Sequence, residues 1–309
     1  MDASKLACAC LLLTALGCSG AGTAPEPPAQ TSYASADAAG AALVTALRGD
    51  PRHTLVGVLG PEAEELLDSG DPVQDRNDRA RFVERYDERH STAVNADGSA
   101  TLLVGADDWP FPIPLVPDGA GRWRFDAERG VDELINRRIG ANELSTIEVC
   151  RAIVDAQREY VQLDPEGKHC FASTFRSDAG RRNGLYWETA PGEPESPMGE
   201  RVAEASSEGY VHNVGNPAPY HGYRYGLLLA QGPSAPGGAR SYLVDGHLER
   251  GFAVVAWPAE YEQSGIMTFL VSSDGIVYER DLGPETSTLA ATMEIFDPDA
   301  SWSVCEEGE

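Results

Sequence analysis

The sequence predicts an α+β protein in two consecutive parts. A small unit of helices and antiparallel sheet comes first, and one long helix packed on a second antiparallel sheet follows. Three observations predict it. Apolar residues recur at helical spacing over residues 38–89 and give way to short alternating runs over 92–125. The helical period returns over 131–163. Alternation then dominates from residue 223, where Tyr223, Tyr225, Leu227 and Leu229 fall on one face.

Residues 1–17 read as a secretory leader, with Lys5 near the start, an apolar run over 6–16 broken only by Thr14, and Gly17 before Cys18. About a dozen apolar residues are too few for a permanent span, which takes roughly 20. Ala15-Leu16-Gly17-Cys18 is similar to a lipobox, with Ala15 where leucine is usual. There the cysteine thiol is joined to diacylglycerol and becomes the new N-terminus. Ordinary cleavage near Gly22, without lipid, is the alternative. Several acyl chains, each contributing roughly 0.8 kcal/mol per buried CH2, hold a protein durably to a bilayer. Ser19 is not an aspartate-type retention signal, which points to the outer membrane, facing the periplasm or the cell surface. Residues 18–35, rich in Ala, Pro, Thr, Gln and Ser, form a tether.

Roughly 290 residues remain after the leader, enough for two ordinary domains, and 42% apolar content supplies a core for each. The net charge of −25 repels nucleic acid and anionic headgroups. It suits cations or basic partners, or an acidic solvated surface with no further role. Of the six cysteines, Cys8 and Cys10 leave with the leader and Cys18 carries the lipid, so Cys150, Cys170 and Cys305 are left for pairing and at most one internal disulfide forms; Cys170 with Cys305 is the expected pair.

The first part spans 36–126. Asp37 is a plausible cap for a helix over 38–48 carrying Leu43, Val44 and Leu47, and Asp50-Pro51 and Gly60-Pro61 start two short helices. A fourth, over 75–89, has Phe82, Val83 and Tyr86 on its apolar stripe. Strand-like runs at 92–95, 100–105, 113–116 and 122–125 are separated by Asp97-Gly98 and Asp118-Gly119 turns. The pattern suits cystatin-like or nuclear-transport-factor-like folds, among others. The second part spans 127–304. Its helix, interrupted near Gly140, carries Ile147, Cys150, Val154 and Val161. A loop-rich insertion covers 176–219, with a short helix over 200–206. Strands follow at 241–244, 252–257, 267–271 and 276–280, with Asp245-Gly246 and Asp274-Gly275 turns, and a last helix covers 285–296.

The strings Asp107-Asp108-Trp109-Pro110-Phe111-Pro112-Ile113-Pro114, Asn136-Arg137-Arg138-Ile139-Gly140, Asp155-Ala156-Gln157-Arg158-Glu159-Tyr160, Pro219-Tyr220-His221-Gly222-Tyr223, Ala235-Pro236-Gly237-Gly238 and Asp281-Leu282-Gly283 strongly resemble the bacterial domain-of-unknown-function family 2950. The likeness covers nearly all the chain after the tether. It implies export, frequent lipid anchoring and a shared fold, and no known reaction. More loosely, Asn142-Glu143 with Ile153 and 156–160, then 251–256, 264–269 and 274–277, resemble the helix and sheet of type IV pilin-like and pseudopilin heads. Asp132, Glu133, Arg137 and Arg138 stand where a pilin stalk would be greasy, so the resemblance implies a head without its filament-forming extension.

No Gly-x-Ser-x-Gly elbow, His-Glu-x-x-His helix, phosphate-cradling loop or Cys-x-x-Cys pair occurs in the processed chain. No cofactor or metal is expected, although His212, His221 and His247 could converge on one; scattered histidines are more often surface or hydrogen-bonded core. The sharper binding candidates are Tyr220, His221, Tyr223 and Tyr225, whose rings with polar tips suit a peptide or glycan groove; packing of a sheet is the bland alternative. Trp109 after Asp107-Asp108 is a second platform, or a turn with a buried ring. Two functions follow. One is a non-catalytic envelope module, anchored to the membrane by its lipid, that binds an envelope protein or cell-wall component and no nucleic acid. The alternative is an envelope-polymer hydrolase using His221 with a carboxylate such as Asp245 or Asp281.

Overall fold

The computed structural model describes residues 30–49, 51–190, 192–210 and 218–305. The leader, Cys18, most of the tether and His212 lie outside them.

Helix α1 (Ala36–Arg48) is capped by Ser35, whose side chain accepts the Ala38 amide. Asp37, the expected cap, instead falls in the first turn, where a carboxylate faces the positive end of the helix dipole. Helix α2 (Pro51–Leu59) and a 310 turn (Pro61–Leu66) follow as the prolines suggested. Helix α3 (Pro72–Glu88) starts three residues before the expected 75, because Asp71 caps it and Pro72 tolerates the first position. These helices cover a five-stranded antiparallel sheet: β1 (His90–Val94), β2 (Ala100–Val104), β3 (Trp109–Pro110), β4 (Leu115–Pro117) and β5 (Trp123–Phe125), in the order β1-β2-β4-β5 with β3 on β2. In β2, Ala100, Leu102 and Val104 are buried while Thr101 and Leu103 are half-buried, the period of a strand with one face on the core.

Helix α4 (Val131–Leu163) runs for 33 residues, roughly 50 Å at 1.5 Å per residue. The expected interruption at Gly140 is absent. A mid-helix glycine costs on the order of 1 kcal/mol, too little to stop a helix held along its length by tertiary contacts. Its partners change along that length. Val131, Ile135 and Ile139 belong to the N-terminal core; Val149, Cys150, Ile153, Val154, Ala156 and Tyr160 belong to the C-terminal one. Between these groups the buried residues are the polar Asn142 and Thr146. The helix ends at Asp164 in the left-handed conformation, its carboxylate accepting the Lys168 and His169 amides.

Within the segment expected to be loop-rich, or at its edge, lie a parallel pair, β6 (Thr174–Arg176) and β7 (Gly184–Tyr186), and helix α5 (Gly199–Ser207). Strand β8 (Tyr223–Leu228) is followed by four two-residue strands, β9 (Ala230–Gln231), β10 (Arg240–Ser241), β11 (Leu243–Val244) and β12 (His247–Leu248), then by β13 (Ala253–Pro258), β14 (Met267–Ser272) and β15 (Val277–Asp281). The expected last helix is only α6 (Thr286–Ala291). Strand β16 (Ile295–Phe296) instead pairs parallel to β9, which takes Phe296 into the core, and β17 (Ser303–Val304) ends the sheet. The main sheet runs β17-β15-β14-β13-β8, antiparallel throughout. Ala253, Val254, Val255 and Ala256 are all buried, so β13 is covered on both faces.

Cys150, Cys170 and Cys305 are buried free thiols, and the expected Cys170–Cys305 disulfide is not formed. The two residues are tied to different strands: Cys170 precedes Phe171, which bridges Leu248 of β12, whereas the Cys305 amide donates to the Val277 carbonyl of β15. Burial pushes the Cys150 thiol up to about 12.

Several turns lean on carboxylates held below their ordinary range by local donors: the Ser99 hydroxyl on Asp97, the Arg122 amide on Asp118, and the Ser301 hydroxyl on Asp299. A depressed folded-state pKa gives stabilisation that is complete above the unfolded value of about 3.9 and lost as pH falls through the folded value. The urea midpoint is therefore expected to fall on acidification below about pH 4, with a shallower fall in Asp118→Asn. An identical acid limb in that variant would contradict the assignment.

Candidate functional site

Helix α3 and the N-terminal half of α4 form the two walls of an open groove of about 1000 Å3. Its floor is apolar, with Leu47, Phe82, Phe111 and Leu134 among its residues, and Trp109 lies beside Phe82 with ring centroids 6.4 Å apart. The α4 wall is a single stripe: Leu134, Arg138 and Asn142 succeed one another at four-residue spacing, with Arg137 and Ala141 alongside.

One end of the groove is closed by a buried polar network. Asp71, fully buried, accepts the Val73 and Gln74 amides at the start of α3. Its second oxygen accepts the Tyr210 hydroxyl at 2.9 Å and the Gly222 amide at 3.0 Å. Asn142 donates to the Ser264 carbonyl at 2.8 Å and accepts from Gln74 Nε2 at 2.5 Å. Gly222 sits at φ 74°, and a Cβ there would lie 2.3 Å from Asn142 Nδ2. Glycine is thus required twice over at this point, by conformation and by space. Burial, with the Asp71 charge second, pushes the Tyr210 phenol above its ordinary range.

Arginines line the walls. Arg138 donates to the Gln263 carbonyl at 2.8 Å and to Gln263 Oε1 at 3.0 Å; burial lowers its pKa, with Asp75 the leading opposing charge. Burial in turn raises the Asp75 carboxyl, against hydrogen bonds from Ser69. Arg137 pairs with Glu133 at 2.7 Å and lies 5.4 Å from the Trp109 ring centroid, in cation–π range. Arg81 pairs with Asp78.

Of the residues singled out from sequence, Trp109 and His221 line this one groove although they come from opposite halves of the chain. Tyr220 backs it: its ring lies 4.1 Å from His221 and 5.0 Å from Tyr210, and burial pushes its phenol up to about 12. Tyr223 and Tyr225 are not groove residues. Tyr223 is fully buried and donates to the Met267 carbonyl at 2.9 Å, filling the space left by Gly265. Tyr225 reaches Thr146 Oγ1 on α4 at 3.5 Å. Strand alternation aims both at the helix covering the sheet. Asp107 and Asp108 pair with Arg85 and Arg89 and form no free platform.

His221, at φ 50°, places Nε2 3.7 Å from Glu208 Oε2. That is ion-pair range and longer than a hydrogen bond. Neither carboxylate suggested from sequence reaches His221: Asp245 lies at the turn between β11 and β12, and Asp281 accepts the Tyr261 hydroxyl at 3.1 Å. Among the described residues no group of three or more His, Cys, Asp or Glu side chains gathers as a metal site would require. No described helix is long and apolar enough to cross a membrane.

Sequence reasoning missed Asp71, Tyr210, Glu208 and the arginine walls. Asp71-Pro72 carried a usable signal, being a helix start with a cap. Arg138 carried a weaker one, as a charge in line with Leu134 on a helix stripe.

Fold and site together define a two-part α+β protein with an open, apolar-floored, arginine-walled groove where its halves meet. The chain belongs to the family described as protein of unknown function (DUF2950), whose model matches residues 30–305. No curated protein and no solved structure matches the chain. The likeness to pilin heads therefore rests on the quoted strings alone.

Proposed function

We propose that the protein is an exported, lipid-anchored binding module of the cell envelope whose binding surface is the groove between α3 and α4. The groove's make-up carries this reading. Some 1000 Å3 of open space is lined by the half-buried Phe82, Trp109 and Leu134 over the buried Phe111. Apolar floors with a few placed polar groups are the usual make-up of binding sites. The leader and Cys18 supply the address, and the tether lets the groove reach partners beyond the bilayer surface. A second reading, an envelope-polymer hydrolase, draws on His221 and Glu208 facing each other at the groove's end.

A photoreactive residue in place of Ala141, exposed on the α4 wall, tests both in cells carrying the full anchored chain. The expected result is a light-dependent adduct that disappears when Phe82→Ala and Trp109→Ala are added and persists in His221→Asn. No adduct, or one indifferent to Phe82 and Trp109, removes the binding reading. Cleavage of envelope polymer by the purified protein, abolished by His221→Asn or Glu208→Gln, would establish the hydrolase instead.

A further inference from the structure

The groove's lining is richer in arginine than the chain as a whole, although Arg81, Arg85 and Arg137 are paired with Asp78, Asp107 and Glu133. The chain carries 49 acidic and 24 basic residues. Among the charged residues lining the groove, however, arginines at 79, 81, 85, 137 and 138 outnumber Asp78, Glu84 and Glu208. Arg79 is half-buried and has no hydrogen bond or ion pair among the described residues. The Arg138 guanidinium donates to the neutral Gln263, with the Asp75 carboxylate its leading charged neighbour. Among the described residues neither arginine makes a direct carboxylate pair that an anionic group would have to break, although both feel the Asp75 charge.

The dimensions select the shape of the occupant. Along α3 the lining runs from Gln74 to Arg85, and along α4 from Leu134 to Ser145; each stretch is roughly 16 Å of helix. The lining also takes in Leu43, Leu55, Leu59 and Leu66 from α1, α2 and the 310 turn, so the space is broader than one extended chain. A helix with its side chains is about 10–12 Å wide, so one sunk partway into an open groove fills it. An extended acyl chain, one methylene wide, would leave most of the floor wet.

We propose that the groove docks an acidic amphipathic helix of about three turns from a partner protein, with its apolar stripe on Phe82, Trp109 and Leu134 and its carboxylates against the arginine walls. This rests on the groove being the binding surface, and it adds the partner's chemistry. The mode is helix-in-groove recognition, with anchors at i, i+3, i+4 and i+7, and the charged walls set which helices are accepted.

The test uses the mature chain and three probes: a fluorescein-labelled helical peptide of about 14 residues with a Leu/Phe stripe and glutamate elsewhere, the same peptide with lysine for glutamate, and dodecanoate. Anisotropy is expected to show saturable binding of the acidic peptide and at least about tenfold weaker binding of the basic one. Arg79→Glu with Arg81→Glu is expected to weaken the acidic peptide about tenfold while leaving the helical circular dichroism unchanged. Equal binding of the two peptides, or no effect of the arginine substitutions, overturns the acidic-helix proposal. Dodecanoate binding that depends on Trp109, with neither peptide bound, also overturns it but leaves the groove as a binding surface. Failure of all three probes together with loss of the Ala141 adduct overturns both.

Discussion

Asp71→Ala is expected to lower stability by about 3–5 kcal/mol, several times the cost of an ordinary lost helix cap. The cap alone, through the Val73 and Gln74 amides, accounts for about 0.5–2 kcal/mol. The remainder comes from the Tyr210 hydroxyl and the Gly222 amide, which lose their acceptor in a place water does not reach. Each buried donor left unpaired costs about 1–3 kcal/mol. Asp71→Asn separates the two contributions: its remaining oxygen can still cap α3, while its amide would face the two donors. About half the loss is expected from it. Urea midpoints for the three proteins read the difference directly. If Asp71→Ala cost no more than about 1 kcal/mol, Asp71 would be only a cap, and the groove's end would be held by something else.

Phe269→Ala is expected to cost about 3–5 kcal/mol, and to shift the same unfolding transition as Phe125→Ala. The two rings sit in different cores. Phe269 is fully buried on β14 beside Tyr223, and Phe125 is fully buried on β5 beside Phe111. The cores nevertheless share α4, whose first turns are buried in one and whose later turns are buried in the other. Losing either core strips half of that helix of its packing, and an exposed half-helix is marginal by itself. The buried contacts of Asn142 with Gln74 and Ser264 tie the halves together at the changeover. Calorimetry should show one transition, lowered by either substitution. Two transitions, each moved by one substitution only, would show that α4 does not couple the halves.

The elements were largely legible because their signals are local. The helical period over 131–163, the Asp-Gly turns and the proline-led starts of α2 and the 310 turn all became structure at or near the expected positions. The errors fell where a tertiary contact outweighed a local preference. Gly140 stays helical because packing holds α4 on both sides of it. Residues 295–296 extend a sheet because Phe296 finds a buried place beside β9. At the site, the chemistry of Trp109 and His221 points to them, while nothing local indicates that they share one groove. Tyr223 and Tyr225 share an alternating string with the useful residues, and only burial against α4 sets them apart.

Short-range patterns along the chain specify the α+β class, the main helices and strands in their order, and the family. Only the tertiary structure decided that Cys170 and Cys305 stay apart, that two cores share one helix, and that Trp109, His221 and the arginines of two helices surround one groove. The reason is geometric. Spacing along a chain fixes which face a side chain occupies, whereas which faces meet depends on how whole elements pack, and no local pattern encodes that distance.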